Sequence, residues 1–144
     1  MKLFSIGFTK RSAEDFFTRL QEAGVRRVVD VRLNNTSQIA GFAKSRELQY
    51  FLRVIAGIDY VHMPVFSPTQ DILDAYKKNK GSWDAYEREF RGLLKKRRIA
   101  DSVIQSLRDG DCLLCGEYTP EHCHRRLVAD YVQARRKDVE IVHL

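Results

Sequence analysis

The stretch VRRVVDV at residues 25–31 decides the fold class of this chain. Its β-branched valines are typical of a strand that is buried on both faces of a sheet. Four further short apolar runs have the same character, at residues 2–6, 58–62, 111–115 and 139–143. Longer amphipathic stretches separate the runs. This alternation predicts an α/β fold with a mostly parallel sheet of about five strands flanked by helices.

Helix signals lie between these runs. The residues SPTQ at 67–70 are typical of a capping box that starts a helix with proline at its first position. A later helix is expected to bury Trp83, and the last helix is expected to begin near residues 119–121. Residues 32–44 show no clear period, and a loop of this length inside a compact domain predicts a functional segment.

Length and composition narrow the class of protein further. A chain of 144 residues corresponds to one domain, so residues 1–144 are expected to form a single α/β domain. Its 25 basic and 19 acidic residues give a net charge of +6, which favours an anionic partner such as a nucleotide, a nucleic acid or a phosphorylated metabolite. The sequence has no apolar run of membrane-spanning length, no signal peptide and an odd number of cysteines. We therefore expect a cytoplasmic protein with free thiols and no membrane partner.

The densest group of reactive side chains is CGEYTPEHCHRR at residues 115–126, between the fourth strand and the last helix. A helix N-terminus favours anions, so Cys123 is expected to have a lowered pKa and to act as a nucleophile or ligand. His124 and Arg125 are expected to bind an anionic substrate, and Glu117 is a candidate for proton transfer. The alternative is that Cys123 is a small core residue and the histidines are solvated.

Cys112 and Cys115 have the spacing of a metal or redox motif. Residues three apart on a strand point to opposite faces, so Cys112 is assigned to the core. Cys115, at the end of the strand, can instead join Cys123 and His124. A zinc or iron site from Cys115, Cys123, His124 or His62 is chemically sensible, but the paired spacings of structural zinc sites are missing, so no metal is assigned. If a metal is bound, Cys115, Cys123 and His124 are the expected ligands, and the pattern predicts no particular cofactor.

A second polar group follows the strand at residues 25–31. Asp30 and Arg32 are two residues apart and share a face, where Asp30 is a candidate general base and Arg32 a candidate anion-binding residue. The alternative is a structural ion pair, because unpaired buried charges are costly. His62 ends the third strand and is a further candidate for acid–base catalysis. Lys44 ends the loop at residues 32–44 and is a candidate substrate-binding residue.

Known phosphate-binding motifs are missing from the sequence. Neither the dinucleotide fingerprint nor the P-loop occurs, which excludes ATP hydrolysis by P-loop machinery. Gly7 ends the first strand, where it is expected to let the backbone approach a ligand. Basic runs at residues 95–98 and 135–137 either contact phosphates or form solvated helix faces.

Six motifs together carry a family resemblance: SIG at residues 5–7, DVR at 30–32, FAK at 42–44, YVHMP at 60–64, LCxE at 114–117 and CHR at 123–125. With them the chain resembles the domain of unknown function family 488, a group of small bacterial and archaeal proteins, over essentially its whole length. The resemblance implies an α/β fold and a clustered polar site, and it implies no established activity.

The leading hypothesis is an enzyme that acts on an anionic substrate. Its site is expected at the carboxyl edge of the sheet, where open α/β sheets bind ligands. The expected site residues are Asp30, Arg32, Lys44, His62, Cys115, Glu117, Cys123, His124 and Arg125. A non-catalytic nucleic-acid-binding module and a metal-binding or redox protein are the alternatives.

Overall fold

The computed structural model of the protein describes residues 1–36 and 41–144. In this part of the chain, five parallel strands form one sheet: β1 (Lys2–Gly7), β2 (Arg27–Asp30), β3 (Asp59–His62), β4 (Asp111–Cys115) and β5 (Glu140–His143). Their spatial order is β3-β2-β4-β1-β5. Each strand overlaps the apolar run that predicted it, so the predicted α/β fold is confirmed.

Six α-helices flank the sheet within the described residues: α1 (Ala13–Ala23), α2 (Ser45–Phe51), α3 (Gln70–Lys77), α4 (Trp83–Arg97), α5 (Asp101–Ser106) and α6 (His124–Arg135). None of these helices has the length and apolar character that crossing a membrane requires. Of the loop predicted at 32–44, residues 37–40 lie outside the described residues, and Gly41–Ala43 form a 3-10 turn.

Two predicted helix starts are wrong. α3 begins at Gln70, because the side chain of Thr69 accepts the hydrogen bond from the backbone N–H of Ile72 and serves as the cap. α6 begins at His124 rather than near residue 120, because the residues before it form turns and bends with Cys123 in the N-cap position. The proline in the preceding turn gave a helix-start signal a few residues too early.

The carboxyl ends of the strands lie along one edge of the sheet. In the parallel register Gly7 pairs with Cys115, and Asp30 pairs with both Leu114 and His62. Because β4 lies between β2 and β1, the chain after Cys115 leaves the sheet between the ends of those two strands. This is the edge at which ligands bind in open parallel sheets.

The two faces of the sheet carry separate cores. Leu113 and Cys115 belong to the core on the side of α4 and α6, whereas Cys112 and Leu114 belong to the core on the side of α1 and α2. Cys112 is therefore a core residue on the face opposite Cys115, as their spacing predicted. The site is consequently built on the face that α4 and α6 cover.

Candidate active site

Cys115 and His124 form the central contact of the site. Cys115 ends β4 and His124 begins α6, so the turn between the two elements brings their side chains together. Sγ of Cys115 lies 3.2 Å from Nδ1 of His124, and Nε2 of His124 lies 2.7 Å from the carbonyl oxygen of Val31. Because a carbonyl oxygen only accepts, Nε2 carries the proton of this hydrogen bond. The Val31 carbonyl therefore orients the ring so that Nδ1 faces the thiol.

Cys123 completes a buried cluster with these two residues. One donor atom from each of Cys115, Cys123 and His124 lies within 4.8 Å of the others, which is close enough for the three to bind one metal ion. Thiolates and imidazole are donors that zinc favours, and three protein ligands leave a fourth position for water or substrate. The structure thus brings together the three residues that are predicted from the sequence as ligands if a metal is bound.

The two thiols of this cluster differ in pKa. A hydrogen bond from the Cys123 thiol, together with one from the backbone N–H of Gly116, lowers the pKa of Cys115 despite its burial. Burial raises the pKa of Cys123, and its hydrogen bond to Cys115 raises it further. The predicted lowering of the Cys123 pKa at the helix N-terminus is therefore wrong, because burial and the hydrogen bond to Cys115 both raise this pKa. The thiolate is favoured at Cys115 instead.

The cluster lines a cavity of about 240 Å³. The rest of the lining includes the segment after β2, the turn after β4, and three rings from α3 and α4, here called the aromatic wall: Tyr76, Trp83 and Tyr86. Of the three cysteines, Cys115 is the most exposed at 8%, against 2% for Cys123 and 0% for Cys112. Cys115 and Cys123 both line the cavity, whereas Cys112 does not.

Lys77 and Glu117 form an ion pair in the lining of the same cavity. Nζ of Lys77 lies 2.5 Å from Oε1 of Glu117, and both side chains are about half exposed. Glu117 was predicted as a site residue from its place after β4. Lys77 and the aromatic wall were missed, because residues of α3 and α4 that line a cavity fit the same helical period as residues that fill a core.

Asp30 and Arg32 form a buried bidentate ion pair. Nε and Nη2 of Arg32 each lie 2.9 Å from a carboxylate oxygen of Asp30, and the Tyr60 hydroxyl donates to that carboxylate at 2.6 Å. Asp30 is fully buried and is not among the described residues of the cavity lining. Arg32 does line the cavity, and its Nη1 has no hydrogen-bond partner among the described residues.

We expect the carboxylate of Asp30 to make folding sensitive to acid. Burial raises the pKa of Asp30, but the hydrogen bonds and charge of Arg32 and the hydrogen bond from Tyr60 outweigh it and hold the pKa below its ordinary value. A carboxyl group with a lowered pKa stabilises the fold above its ordinary pKa, and this contribution is lost as the pH falls. The contribution of Asp30 to the free energy of unfolding should be constant between about pH 7 and pH 5 and should decline below about pH 4.

Asp30→Asn should lower the free energy of unfolding by about 2–3 kcal/mol at pH 7, because Arg32 loses its charged partner. The variant should also show a weaker decline in stability below about pH 4 than the wild type. Urea unfolding across this pH range measures both effects, with the exposed Asp59→Asn as the control. An acid dependence of Asp30→Asn equal to that of the wild type would contradict the ion-pair argument.

Arg125 supports the site without lining the cavity. Its side chain is fully buried and donates to the carbonyl oxygen of Glu117 at 2.6 Å, to that of Tyr118 at 3.4 Å, and to Oγ of Ser5 at 3.2 Å. All three partners belong to the protein itself. Arg125 therefore anchors the turn after β4 to β1, which is a positioning role in place of the predicted contact with a substrate.

In the described part of the chain, His62 and Lys44 are likewise not brought to the cavity. Nε2 of His62 lies 2.9 Å from the carbonyl oxygen of Arg32 and so fixes the segment after β2. Lys44 precedes α2, and neither it nor His62 is among the described residues of the lining. Of the predicted site residues, five line the cavity: Arg32, Cys115, Glu117, Cys123 and His124.

The fold and the site define a parallel α/β protein with a Cys–Cys–His cluster at the carboxyl edge of its sheet. The sequence model of the family described as a domain of unknown function, DUF488, matches residues 12–132, and the chain belongs to this family. The resemblance expected from the motifs is thereby confirmed. No curated protein and no solved structure matches the chain.

Proposed function

We propose that the protein is an enzyme that acts on a small anionic substrate and uses Cys115 as its nucleophile. The observation that carries this proposal is the 3.2 Å contact between Sγ of Cys115 and Nδ1 of His124 beside the cavity. A thiol in contact with an imidazole can transfer its proton and become the reactive thiolate. The Val31 carbonyl is the third group that orients the base, which is the arrangement expected of an activated nucleophile.

The proposed reaction begins when the proton of Cys115 passes to Nδ1 of His124. The thiolate attacks an electrophilic carbon of the substrate, so that a bond from Sγ to this carbon forms as the bond to the leaving group breaks. The imidazolium of His124 returns the proton to the leaving group. Water then attacks the same carbon, breaks its bond to Sγ and supplies the proton that restores the Cys115 thiol.

Two cationic side chains in the cavity lining, each in an ion pair with a carboxylate, support an anionic substrate. Arg32 and Lys77 line the cavity, and the chain as a whole carries a net charge of +6. A guanidinium group is well suited to bind a carboxylate or phosphate. The proton-transfer roles of Asp30, His62 and Glu117 and the binding role of Lys44 remain predictions. The proposed chemistry also requires reduced thiols, which a cytoplasmic location maintains.

Alkylation with iodoacetamide tests the nucleophile. At pH 7 Cys115 should react before Cys123 and Cys112, because it has the greatest exposure and the contact with His124. Peptide mass spectrometry over a time course gives the rate at each cysteine. His124→Gln should slow the labelling of Cys115 about tenfold, because the proton acceptor at Nδ1 is lost. Cys112→Ala, on the opposite face of the sheet, is the control and should leave the rate unchanged.

Labelling of Cys123 before Cys115, or equally slow labelling of all three thiols, would contradict the assignment of Cys115 as the nucleophile.

A metal site on Cys115, Cys123 and His124 is the second candidate function, favoured because their donor atoms lie within 4.8 Å of one another. Elemental analysis of the purified protein distinguishes the metal site from the free nucleophile. One equivalent of a transition metal that is lost in Cys123→Ser would make Cys115 a ligand and overturn its role as a free nucleophile, whereas metal-free protein supports the nucleophile.

A non-catalytic nucleic-acid-binding module has less support. In the basic run at 95–98, Arg97 donates to the carbonyl oxygens of Val65 and Ser67 at 2.7 and 2.6 Å. In the run at 135–137, Arg136 donates to the carbonyl oxygen of Leu107 at 2.8 Å. The second run also ends α6, which places it at the edge of the sheet opposite the cavity. Part of each run is therefore occupied by the protein's own backbone.

A further inference from the structure

Arg32, a residue of the cavity lining, has one buried donor without a partner among the described residues. Its side chain is 5% exposed, and Nε and Nη2 are occupied by Asp30, while Nη1 has no partner among the described residues. A guanidinium group only donates, so any group that satisfies Nη1 must be an acceptor. Because a charged donor that is buried without a partner is costly, an anionic oxygen is the ligand atom that stabilises it most.

Lys77 adds a second cation to the same lining. Its ion pair with Glu117 is half exposed, and such pairs contribute only about 0–1 kcal/mol, so an incoming anion can replace the carboxylate. Nζ of Lys77 also lies 5.3 Å from the centroid of the Tyr76 ring. The cation is therefore next to the aromatic wall, and one small ligand can contact both.

The aromatic wall offers an apolar surface in which the rings of Trp83 and Tyr86 are nearly parallel and the ring of Tyr76 is tilted against them. The ring centroids of Trp83 and Tyr86 are 5.0 Å apart, and those of Tyr76 and Tyr86 are 5.1 Å apart. The exposed side chain of His122 stacks on Trp83, with 5.2 Å between the ring centroids. Trp83 is only partly buried, although the sequence predicted it as a core residue of α4. Aromatic rings that line a cavity favour a planar ligand group, since ring pairs add to the free energy of apolar burial.

We propose that the cavity binds a small substrate with one planar ring and one oxyanion group, a carboxylate or a phosphate. The oxyanion contacts Nη1 of Arg32 and Nζ of Lys77, and the ring lies against the aromatic wall. The cavity of about 240 Å³ is smaller than the roughly 300–1,000 Å³ that holds a drug-sized ligand, so a single ring fits better than an extended molecule. This inference names the substrate class of the proposed enzyme and rests on that function.

Trp83 is the only tryptophan in the chain, so its fluorescence reports directly on the cavity. The full chain carrying Cys115→Ser is titrated with benzoate and with phenyl phosphate as single-ring oxyanions. Three further probes each lack one feature: benzyl alcohol has no anionic group, cyclohexanecarboxylate has no planar ring, and inorganic phosphate has no ring at all. We expect saturable binding of at least one single-ring oxyanion and about tenfold weaker binding of all three controls.

The preference between benzoate and phenyl phosphate assigns the oxyanion as carboxylate or phosphate. Equal binding of benzyl alcohol would overturn the anionic requirement. Equal binding of cyclohexanecarboxylate or inorganic phosphate would overturn the requirement for a planar ring. The absence of a saturable change with both single-ring oxyanions would overturn the inference as a whole.

Lys77→Gln and Lys78→Gln form a matched pair of variants. The two lysines are neighbours and exposed, but only Lys77 is in the cavity lining. Lys77→Gln should weaken binding of the preferred oxyanion about fivefold, and Lys78→Gln should leave it unchanged. Arg32→Lys should weaken binding about tenfold, because an ammonium group cannot reproduce the fork that serves both Asp30 and a ligand. If Arg32→Lys does not fold, the comparison of Lys77→Gln with Lys78→Gln tests the inference. Equal affinities of these two variants for the oxyanion would contradict it.

Failure of this inference and failure of the proposed function give different results. Oxyanion binding without preferential alkylation of Cys115 would retain the ligand class and reject the nucleophile. Preferential alkylation of Cys115 without oxyanion binding would reject the ligand class alone. Protection of Cys115 from iodoacetamide by the preferred oxyanion, measured on the wild-type chain, would support both.

Discussion

Replacing Gly7 with alanine is expected to prevent folding or to lower the free energy of unfolding by more than about 4 kcal/mol. Gly7 ends β1 and lies against the turn after β4, where an added Cβ would overlap the carbonyl oxygen of Glu117. The Cβ would also lie 2.9 Å from Nη1 of Arg125. Neither group can withdraw easily, because this nitrogen and this carbonyl oxygen are hydrogen-bonded to each other at 2.6 Å.

Gly92→Ala is the matched control for this substitution. Gly92 lies inside α4, and an added Cβ there meets nothing within 4 Å outside its own helix. Because alanine forms helices better than glycine, this variant should gain up to about 1 kcal/mol. Urea unfolding followed by circular dichroism measures both variants. A Gly7→Ala protein within about 1 kcal/mol of the wild type would show that the turn is free to move.

The strands were predictable because burial on both faces of a parallel sheet requires a nearly continuous apolar composition. The stretch at 25–31 shows this directly, since β2 falls inside it. The helix start before His124 was not predictable in the same way. Proline and acidic residues in the preceding turn give the local signal of a helix N-terminus, and only the packing of Cys123 and His124 on β4 places the true start.

The position of the site was predictable, but its contacts were not. The rule that ligands bind at the carboxyl ends of parallel strands led to Arg32, Cys115 and His124, which the structure brings to one cavity. Sequence spacing gives no side-chain direction, so it could not distinguish Cys115 from Cys123 as the thiol with the lowered pKa. Gly7 is a second example. The sequence predicted that a ligand approaches the backbone at Gly7, but the carbonyl group of Glu117 occupies that position.

Arg125→Met is expected to lower the free energy of unfolding by about 3–5 kcal/mol. The buried guanidinium of Arg125 holds the carbonyl oxygens of Glu117 and Tyr118 as well as Oγ of Ser5. Methionine fills a similar volume but supplies no donor, so the groups that Arg125 holds would lose their hydrogen bonds. Arg125→Lys should recover only part of the loss, because one ammonium group cannot serve partners that are arranged for a fork.

Arg126→Met, at the next residue of α6, is the control for Arg125→Met. It shows how much stability is lost when an arginine that does not anchor the turn is replaced. Arg126 is 27% exposed and pairs with Glu87 at 2.8 Å, so its substitution should cost less than about 1 kcal/mol. The backbone N–H of Gly116, in the turn that Arg125 anchors, hydrogen-bonds Cys115. Arg125→Lys should therefore also slow the alkylation of Cys115, and Arg126→Met should not. Equal stability of Arg125→Lys and Arg126→Met, together with equal rates of Cys115 alkylation, would show that the turn after β4 holds its shape without Arg125.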